Sequence, residues 1–156
     1  MAGGRSRRRA GAGPRVHIKA AKPWRGVGRK ALADAARLTL AHAAPAVRGD
    51  VTVVLTTDRA IRVLNRKFRG SDRPTDVLSF DIGSGLDANE PFGDVVISVE
   101  TARRQAREYE APLQTEIIRL LVHGTLHLCG FDHHERREAA RMHGLTRRLV
   151  RKLTAS

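Results

Sequence analysis

Three histidines at a fixed spacing, His123, His127 and His133, constrain the fold of this chain more than any other feature. On an α-helix the first two lie one turn apart, so both imidazoles leave the same face of the helix. Gly130 can adopt the left-handed conformation that ends a helix, and the chain can then turn back so that His133 approaches the same point. Two ligands from a helix and one from the following turn predict a tripod for one metal ion, with a fourth position open to water.

The ligand type favours one catalytic Zn²⁺ ion. Closed structural zinc sites usually contain thiolates, whereas three neutral imidazoles leave the ion with its full charge and an open position. Nickel or another metal that prefers imidazole would fit the same ligands. In the alternative interpretation, His123 and His127 are hydrogen-bonded core residues and His133 is a turn residue. His134 is an alternative third ligand, but the spacing favours His133.

The same histidine spacing occurs in H-E-x-x-H-x-x-G-x-x-H metalloproteases, which use the glutamate after the first histidine as a general base. The corresponding residue here is Gly124, and a glycine cannot take a proton from water. The sequence therefore predicts the metal geometry of those enzymes without their peptide chemistry.

Three sequence blocks resemble the YbeY-type endoribonucleases, which are bacterial rRNA maturation factors. Residues 123–133 read HGTLHLCGFDH and resemble the signature of that family. Residues 64–80 read LNRKFRGSDRPTDVLSF and are similar to its N-x-x-[FY]-R-G-x-D-x-P-T-D-V-L-S-F block. Residues 93–98 read GDVVIS and are similar to its G-D-[IV]-x-I-S strand. The order and spacing of the blocks also match, and the resemblance extends from about Val51 to Arg147.

The resemblance implies a zinc-dependent, single-strand-specific endoribonuclease that matures the 3′ end of 16S rRNA and acts in ribosome quality control. The implied partners are single-stranded RNA, rRNA and the small ribosomal subunit, with a small-subunit ribosomal protein and a ribosome-assembly GTPase as further candidates. Two other functions stay open: a non-catalytic ribosome-assembly factor with a structural metal, and a zinc hydrolase of a non-nucleic-acid substrate.

Arg69 is the candidate catalytic residue outside the histidines, because it matches the arginine that the YbeY family is thought to use near its zinc. A guanidinium can hold two non-bridging phosphate oxygens while their negative charge grows during attack. The alternative is a surface arginine paired with Asp72 or Asp76. The same block contains three weaker candidates for RNA binding: Arg73, Lys67 and Arg66.

Two nucleophiles are compatible with such a site. Zinc lowers the pKa of a bound water to about 7, so hydroxide would be available without a carboxylate base. Alternatively, the RNA 2′-OH attacks, with the metal hydroxide as its base. Aromatic residues form only 4% of the chain, so we expect base stacking to contribute little.

Asp132 has two interpretations. Its carboxylate could accept the remaining ring N–H of a ligand histidine and so hold that ring in one tautomer. Alternatively, Asp132 and Glu135 resemble the N-cap and N3 residues of a capping box, and Asp132 would then begin the last helix. The capping spacing favours the second interpretation.

Charge is concentrated at the two ends of the 156-residue chain, whose formal net charge is +13. Residues 1–30 contain ten Lys or Arg and no acidic residue, and residues 136–152 contain seven against Glu138. Basic ends suit a polyphosphate partner, although they also increase solubility in general. We expect residues 1–14 to form a disordered basic tail and residues 15–156 to form a single metal-dependent domain.

The cellular location predicted from composition is the cytoplasm. The N-terminus lacks the apolar segment of a secretory signal, and no apolar run reaches transmembrane length, so no membrane partner is expected. Cys129 is the single cysteine, which excludes an internal disulfide and fits a reducing compartment. Its position on the predicted helix favours the core over metal binding.

Hydrophobic periodicity predicts an α+β fold, in which a small mixed β-sheet of about four strands packs with helices. The central helix and the turn after it would carry the zinc tripod. The predicted strands are Arg15–Lys19, Asp50–Thr56, Val77–Ile82 and Asp94–Val99. The predicted helices are Trp24–His42, Asp58–Phe68 with Asp58 as its cap, Ala102–Glu110, Leu113–Leu128 and 134–153.

Overall fold

The computed structural model describes residues 13–132 and 134–155. The strands are β1 (Val16–Ala20), β2 (Val51–Thr56), β3 (Val77–Asp81) and β4 (Gly93–Ser98). The helices are α1 (Arg29–Ala43), α2 (Asp58–Arg69), α3 (Val99–Glu108), α4 (Leu113–Leu128) and α5 (Arg136–Thr154). The predicted α+β class is confirmed. Most of the predicted basic tail, residues 1–12, lies outside the described residues, as does His133.

One mixed sheet contains the four strands in the order β1-β2-β4-β3. Strands β1, β2 and β4 run parallel to one another, and β3 pairs antiparallel to β4 at the edge of the sheet. Alternate residues of β2 are buried, because successive side chains of a strand point to opposite faces of the sheet. In β4 both faces are covered, since consecutive residues from Val95 to Ser98 are buried. The sheet therefore has helices on either side of its centre.

Helix α4 lies in the middle of the core. Ile117, Leu120, Leu121 and Leu126 are at most 1% exposed. The helix contacts α1, α3 and α5 as well as β3 and β4. Its observed bounds agree with the predicted ones, because its apolar periodicity is continuous from Leu113 onward.

The predicted starts of α1 and α3 and the predicted cap of α2 were wrong. Helix α3 begins at Val99 rather than Ala102, because Ser98 is its N-cap and accepts a hydrogen bond from Thr101 N. Helix α1 begins at Arg29 rather than Trp24, because Gly26 has φ +81° and the backbone turns there before the helix. The cap of α2 is Thr57, whose side chain accepts a hydrogen bond from Ala60 N. Asp58 instead accepts hydrogen bonds from Ser98, Thr101 and Arg104 on and beside α3. Burial alone would raise the pKa of this carboxyl, but these hydrogen bonds hold it below its ordinary value.

The predicted capping box at Asp132 was also wrong. Helix α5 begins at Arg136, and Glu135 occupies its N-cap position without a side-chain cap. The carboxylate of Asp132 accepts a hydrogen bond from His134 N at 3.2 Å. A carboxylate that bonds to the backbone two residues further on stabilises a turn. Asp132 therefore holds the connection between α4 and α5, and the helix starts later than predicted.

Candidate active site

The open face of α4 consists of three residues one turn apart. From Glu116 to Leu128, every position of this helix is buried except Arg119, His123 and His127, which are partly exposed. Because these positions are spaced by four residues, their side chains form one row. The other residues of this part of the helix are buried in the core, so this row is the part of α4 that solvent reaches.

His123 and His127 direct their Nε2 atoms toward one another. These atoms are 3.2 Å apart, and the two rings meet at 76° with centroids 4.8 Å apart. Two imidazole nitrogens on one tetrahedral zinc ion, each about 2.0–2.1 Å from the metal, would be separated by about 3.3–3.4 Å. The pair thus has the spacing of two ligands on one ion. A hydrogen bond between a protonated and an unprotonated Nε2 would have a similar length.

The chain leaves α4 through a Schellman motif. Gly130 has φ +93°, Gly130 N donates to His127 O, and Phe131 N donates to Leu126 O. The positive φ of Gly130 at the end of α4 agrees with the sequence prediction. His133 follows three residues later but lies outside the described residues. Within residues 13–132 and 134–155, no three His, Cys, Asp or Glu side chains form a metal cluster, so the third ligand stays a prediction.

Gly124 allows α4 to approach the sheet closely. A Cβ atom at this position would lie 2.7 Å from Val95 Cγ1 and 3.0 Å from both Val77 Cγ2 and Ser79 Oγ. The hydroxyl of Ser79 also donates a hydrogen bond to Gly124 O at 2.8 Å. Position 124 therefore faces β3 and β4. A glutamate would not fit there, which gives a packing reason for the absence of the protease base.

We expect Gly124→Ala to lower the free energy of unfolding. Overpacking against β3 and β4 costs about 1–3 kcal/mol, which exceeds the gain of about 1 kcal/mol from replacing glycine in a helix. Urea unfolding would measure the change. Gly144→Ala in α5 is the matched control, because a Cβ there contacts nothing within 4 Å. That variant should gain stability, and equal effects at the two positions would contradict the packing role of Gly124.

Arg69 is brought to the same site from α2. It is the last residue of that helix, and Gly70 ends the helix with φ +70°. Arg69 Nη2 donates a hydrogen bond to Ser79 O at 2.9 Å, and Arg69 Cζ lies 5.7 Å from the centre of the Phe80 ring. The guanidinium is therefore held against β3 by one hydrogen bond and one cation–π contact.

A cavity of about 250 Å³ joins Arg69 to the histidine row. Its lining consists of Arg69, Val77, Leu78, Ser79, Asp81 and His127. The alternative pairing of Arg69 with Asp72 or Asp76 was wrong, because Asp72 pairs with Arg62 and Asp76 accepts hydrogen bonds from Val77 N and Gln105. A larger cavity of about 320 Å³ beside α1 contains neither a histidine nor a carboxylate in its lining. The smaller cavity is therefore the candidate active site.

Comparison with known proteins gives the family. The family model described as Endoribonuclease YbeY matches residues 20–154. The chain belongs to the YbeY endoribonuclease family. It is 44% identical over 113 residues to Endoribonuclease YbeY of Heliobacterium modesticaldum, covering 65% of this chain and 68% of that protein. The Rhizobium meliloti protein of the same name is 43% identical over 115 residues, covering 72% of this chain and 68% of that protein.

Other YbeY relatives differ in length. Endoribonuclease YbeY of Myxococcus xanthus is 49% identical over 104 residues, but the match covers 65% of this chain and only 35% of that protein.

The fold is also similar to the solution structure of TM1509 from Thermotoga maritima, with a TM-score of 0.58 and 25% identity over 88% of both chains. Membership of the YbeY family, a family of RNA-cleaving hydrolases, confirms the resemblance found in the sequence blocks.

The weaker RNA-binding candidates of this YbeY chain lie outside the cavity. Arg66 borders a shallow depression on the outer face of α2, and Lys67 Nζ lies 5.4 Å from the centre of the Phe68 ring. Arg73 is exposed, and its carbonyl oxygen accepts a hydrogen bond from Asn65 Nδ2 at 2.8 Å. The three cations surround the end of α2, so they remain candidates for binding the RNA backbone beyond the site.

Arg119 extends the histidine row and was not predicted. Its guanidinium forms a bidentate pair with Glu116, which is 2% exposed. It also lies 5.6 Å from the centre of the Tyr109 ring. Hydrogen bonding to Glu116 raises the pKa of Arg119, so this side chain stays cationic. The spacing of four residues to His123 was the signal in the sequence that could have identified it.

Cys129 does not take part in the site. Its side chain packs against the main core cluster, and burial raises the pKa of its thiol to about 11. This placement agrees with the predicted core role of the residue.

Proposed function

We propose that this protein is a zinc-dependent, single-strand-specific endoribonuclease. The observation that carries the proposal is the cavity shared by Arg69 and His127, which places a guanidinium beside the candidate metal ligands. Family membership supports RNA as the substrate class. His123, His127 and His133 would hold the ion. When bound, a zinc ion supplies a Lewis acid and an ionised water near neutral pH.

Arg69 binds the reacting phosphate in this proposal. One of its five N–H donors is used by Ser79 O, and the planar fork of the others matches two phosphate oxygens. The contact with Phe80 holds the guanidinium in place before substrate arrives, so little side-chain entropy is lost on binding. Arg69 therefore stabilises the negative charge that accumulates on the phosphate during attack.

Two other residues that line the cavity, Ser79 and Asp81, help to position the RNA strand. Ser79 holds α4 against β3 through Gly124 O, which sets the distance between Arg69 and the histidines. Asp81 is the last residue of β3 and also lines the cavity, where its carboxylate would repel a misplaced phosphate. A cavity this small suits one phosphodiester with its sugar, which an unpaired strand presents more readily than a duplex.

The biological role that we propose is maturation of the 3′ end of 16S rRNA and ribosome quality control in the cytoplasm. The partners would be the small ribosomal subunit, a small-subunit ribosomal protein and a ribosome-assembly GTPase. The basic residues on α5 would contact rRNA phosphates. Within the described residues, no helix has the length and hydropathy needed to cross a membrane.

Metal removal tests the enzyme directly. We expect a chelator to abolish cleavage of a single-stranded RNA. Added zinc should restore the cleavage rate, and the rate should reach its maximum when one ion is bound per chain. A duplex of the same sequence should be cleaved much more slowly. Product ends distinguish the nucleophiles, since a 2′,3′-cyclic phosphate means attack by the 2′-OH. Cleavage that persists at full rate after complete metal removal would contradict the proposal.

A further inference from the structure

Two aromatic rings meet at the rim of the candidate active site. Phe68 precedes Arg69 at the end of α2, and Phe80 follows Ser79 in β3. The ring centroids are 5.2 Å apart, and the planes meet at 68°. The pair borders the cavity through Arg69, a lining residue whose Cζ lies 5.7 Å from the centre of the Phe80 ring.

The two rings differ in burial. Phe80 packs against a small apolar cluster of Ile61, Leu78 and Val96. Phe68 has 53% of its surface exposed. Isolated exposed apolar residues are ordinary on protein surfaces. Phe68 is different because its ring is supported by a second aromatic ring and stands beside a cavity that contains a guanidinium.

Each ring of the aromatic pair has a cation close to it. Lys67 Nζ lies 5.4 Å from the centre of the Phe68 ring, and Arg69 Cζ lies 5.7 Å from the centre of the Phe80 ring. Surfaces that bind single-stranded nucleic acid combine positive charge for the backbone with aromatic rings on which bases stack. The rim therefore contains both cations and aromatic rings, which come from residues 67–69 of α2 and from Phe80 of β3.

We propose that Phe68 is a base-stacking residue, on whose exposed ring the unpaired nucleobase next to the reacting phosphodiester stacks. The inference rests on the proposed RNA substrate and adds a way in which the site holds it. Phe80 supports the ring from below, Lys67 attracts the adjacent phosphate, and Arg69 binds the reacting phosphate. Every base has a π face, so this contact supplies affinity and register without sequence selectivity. A base paired in a duplex cannot offer that face, so Phe68 also contributes to single-strand preference.

Fluorescence of 2-aminopurine tests this contact. A short single-stranded RNA would carry one 2-aminopurine, moved along successive positions, and would be titrated with His127→Ala protein so that it stays intact. Phe68→Leu in that background keeps an apolar side chain but removes the ring, whereas Phe68→Tyr keeps the ring. Trp24→Leu is the matched control, because Lys22 Nζ lies 4.3 Å from the centre of the Trp24 ring, but this ring borders a different cavity at the sheet edge opposite β3. Thermal unfolding of each variant would verify that it is folded.

We expect one position of the RNA to be quenched by the His127→Ala protein and by its Phe68→Tyr version. Phe68→Leu should lose that quenching and bind about tenfold more weakly, as loss of one stacked base predicts. Trp24→Leu should bind like its parent. Equal binding and equal quenching by Phe68→Leu and its parent would overturn the inference.

The same experiment separates this inference from the proposed function. If RNA is quenched in a Phe68-dependent way but the unsubstituted, metal-loaded protein cleaves nothing, the nuclease proposal fails and the stacking contact stands. If that protein cleaves RNA and Phe68→Leu changes neither KM nor binding, the stacking contact fails and the nuclease stands. Failure of the parent protein to bind RNA at all would overturn both.

Discussion

Replacing His127 by alanine should abolish RNA cleavage. This residue supplies one of two Nε2 atoms that are 3.2 Å apart, and it also lines the cavity with Arg69. Losing even the hydrogen-bond partner of a metal-ligating histidine lowers affinity or activity about 10- to 100-fold. Losing the ligand itself should therefore reduce the cleavage rate by at least about 100-fold. Metal content measured by mass spectrometry should fall in parallel.

His42→Ala is the matched control for this change. His42 is exposed in the last turn of α1, away from the cavity, so the variant should keep its metal and its cleavage rate. If His127→Ala protein binds zinc with the parent stoichiometry, His127 is not a ligand. If it cleaves RNA at the parent rate, the activity comes from another site or from a contaminant.

Replacing Arg69 should reduce the rate without removing the metal. Loss of a single group that stabilises developing negative charge lowers kcat by about 100- to 1,000-fold, and we expect Arg69→Ala to show a decrease of this size. Arg69→Lys should recover little of the rate, because an ammonium cannot form two parallel hydrogen bonds to a phosphate or stack on Phe80 as a guanidinium does. Single-turnover kinetics would measure the chemical step.

The control for Arg69 is Arg62→Ala on the same helix. Arg62 is exposed and pairs with Asp72 at 3.0 Å, so its loss should leave the rate within about twofold, since exposed ion pairs contribute little. The Arg69 variants should bind zinc like the parent, which separates charge stabilisation from metal binding. A rate for Arg69→Ala equal to that of Arg62→Ala would exclude Arg69 from the reaction.

Local periodicity predicted the parts of the fold that depend on neighbouring residues. The bounds of α4 and the positive φ of Gly130 agree with the sequence, since both follow from apolar spacing and from the conformational freedom of glycine. The start of α5 was wrong because the carboxylate of Asp132 can cap a helix or hold a turn, and both use a nearby backbone N–H. The choice between them depends on how α4 and α5 pack.

The expectation that base stacking contributes little came from composition alone. A chain with 4% aromatic residues has few rings on which nucleobases can stack. The structure places Phe68 and Phe80 together beside the cavity, although they come from different elements. The proposed stacking contact needs only one exposed ring beside the cavity, and a count of residues has no information about position.

The sequence by itself determined that two imidazole side chains lie on one face of α4. Two imidazoles four residues apart on an apolar helix share one face whatever surrounds them, because the geometry of the helix is local. The tertiary structure alone decided which other residues lie close to these imidazoles. Pairing of β3 with β4 and the close approach of α4 at Gly124 bring Arg69 and Ser79 to the cavity that His127 lines. These contacts join residues far apart in the chain and depend on strand order and helix–sheet distance, which local periodicity does not encode.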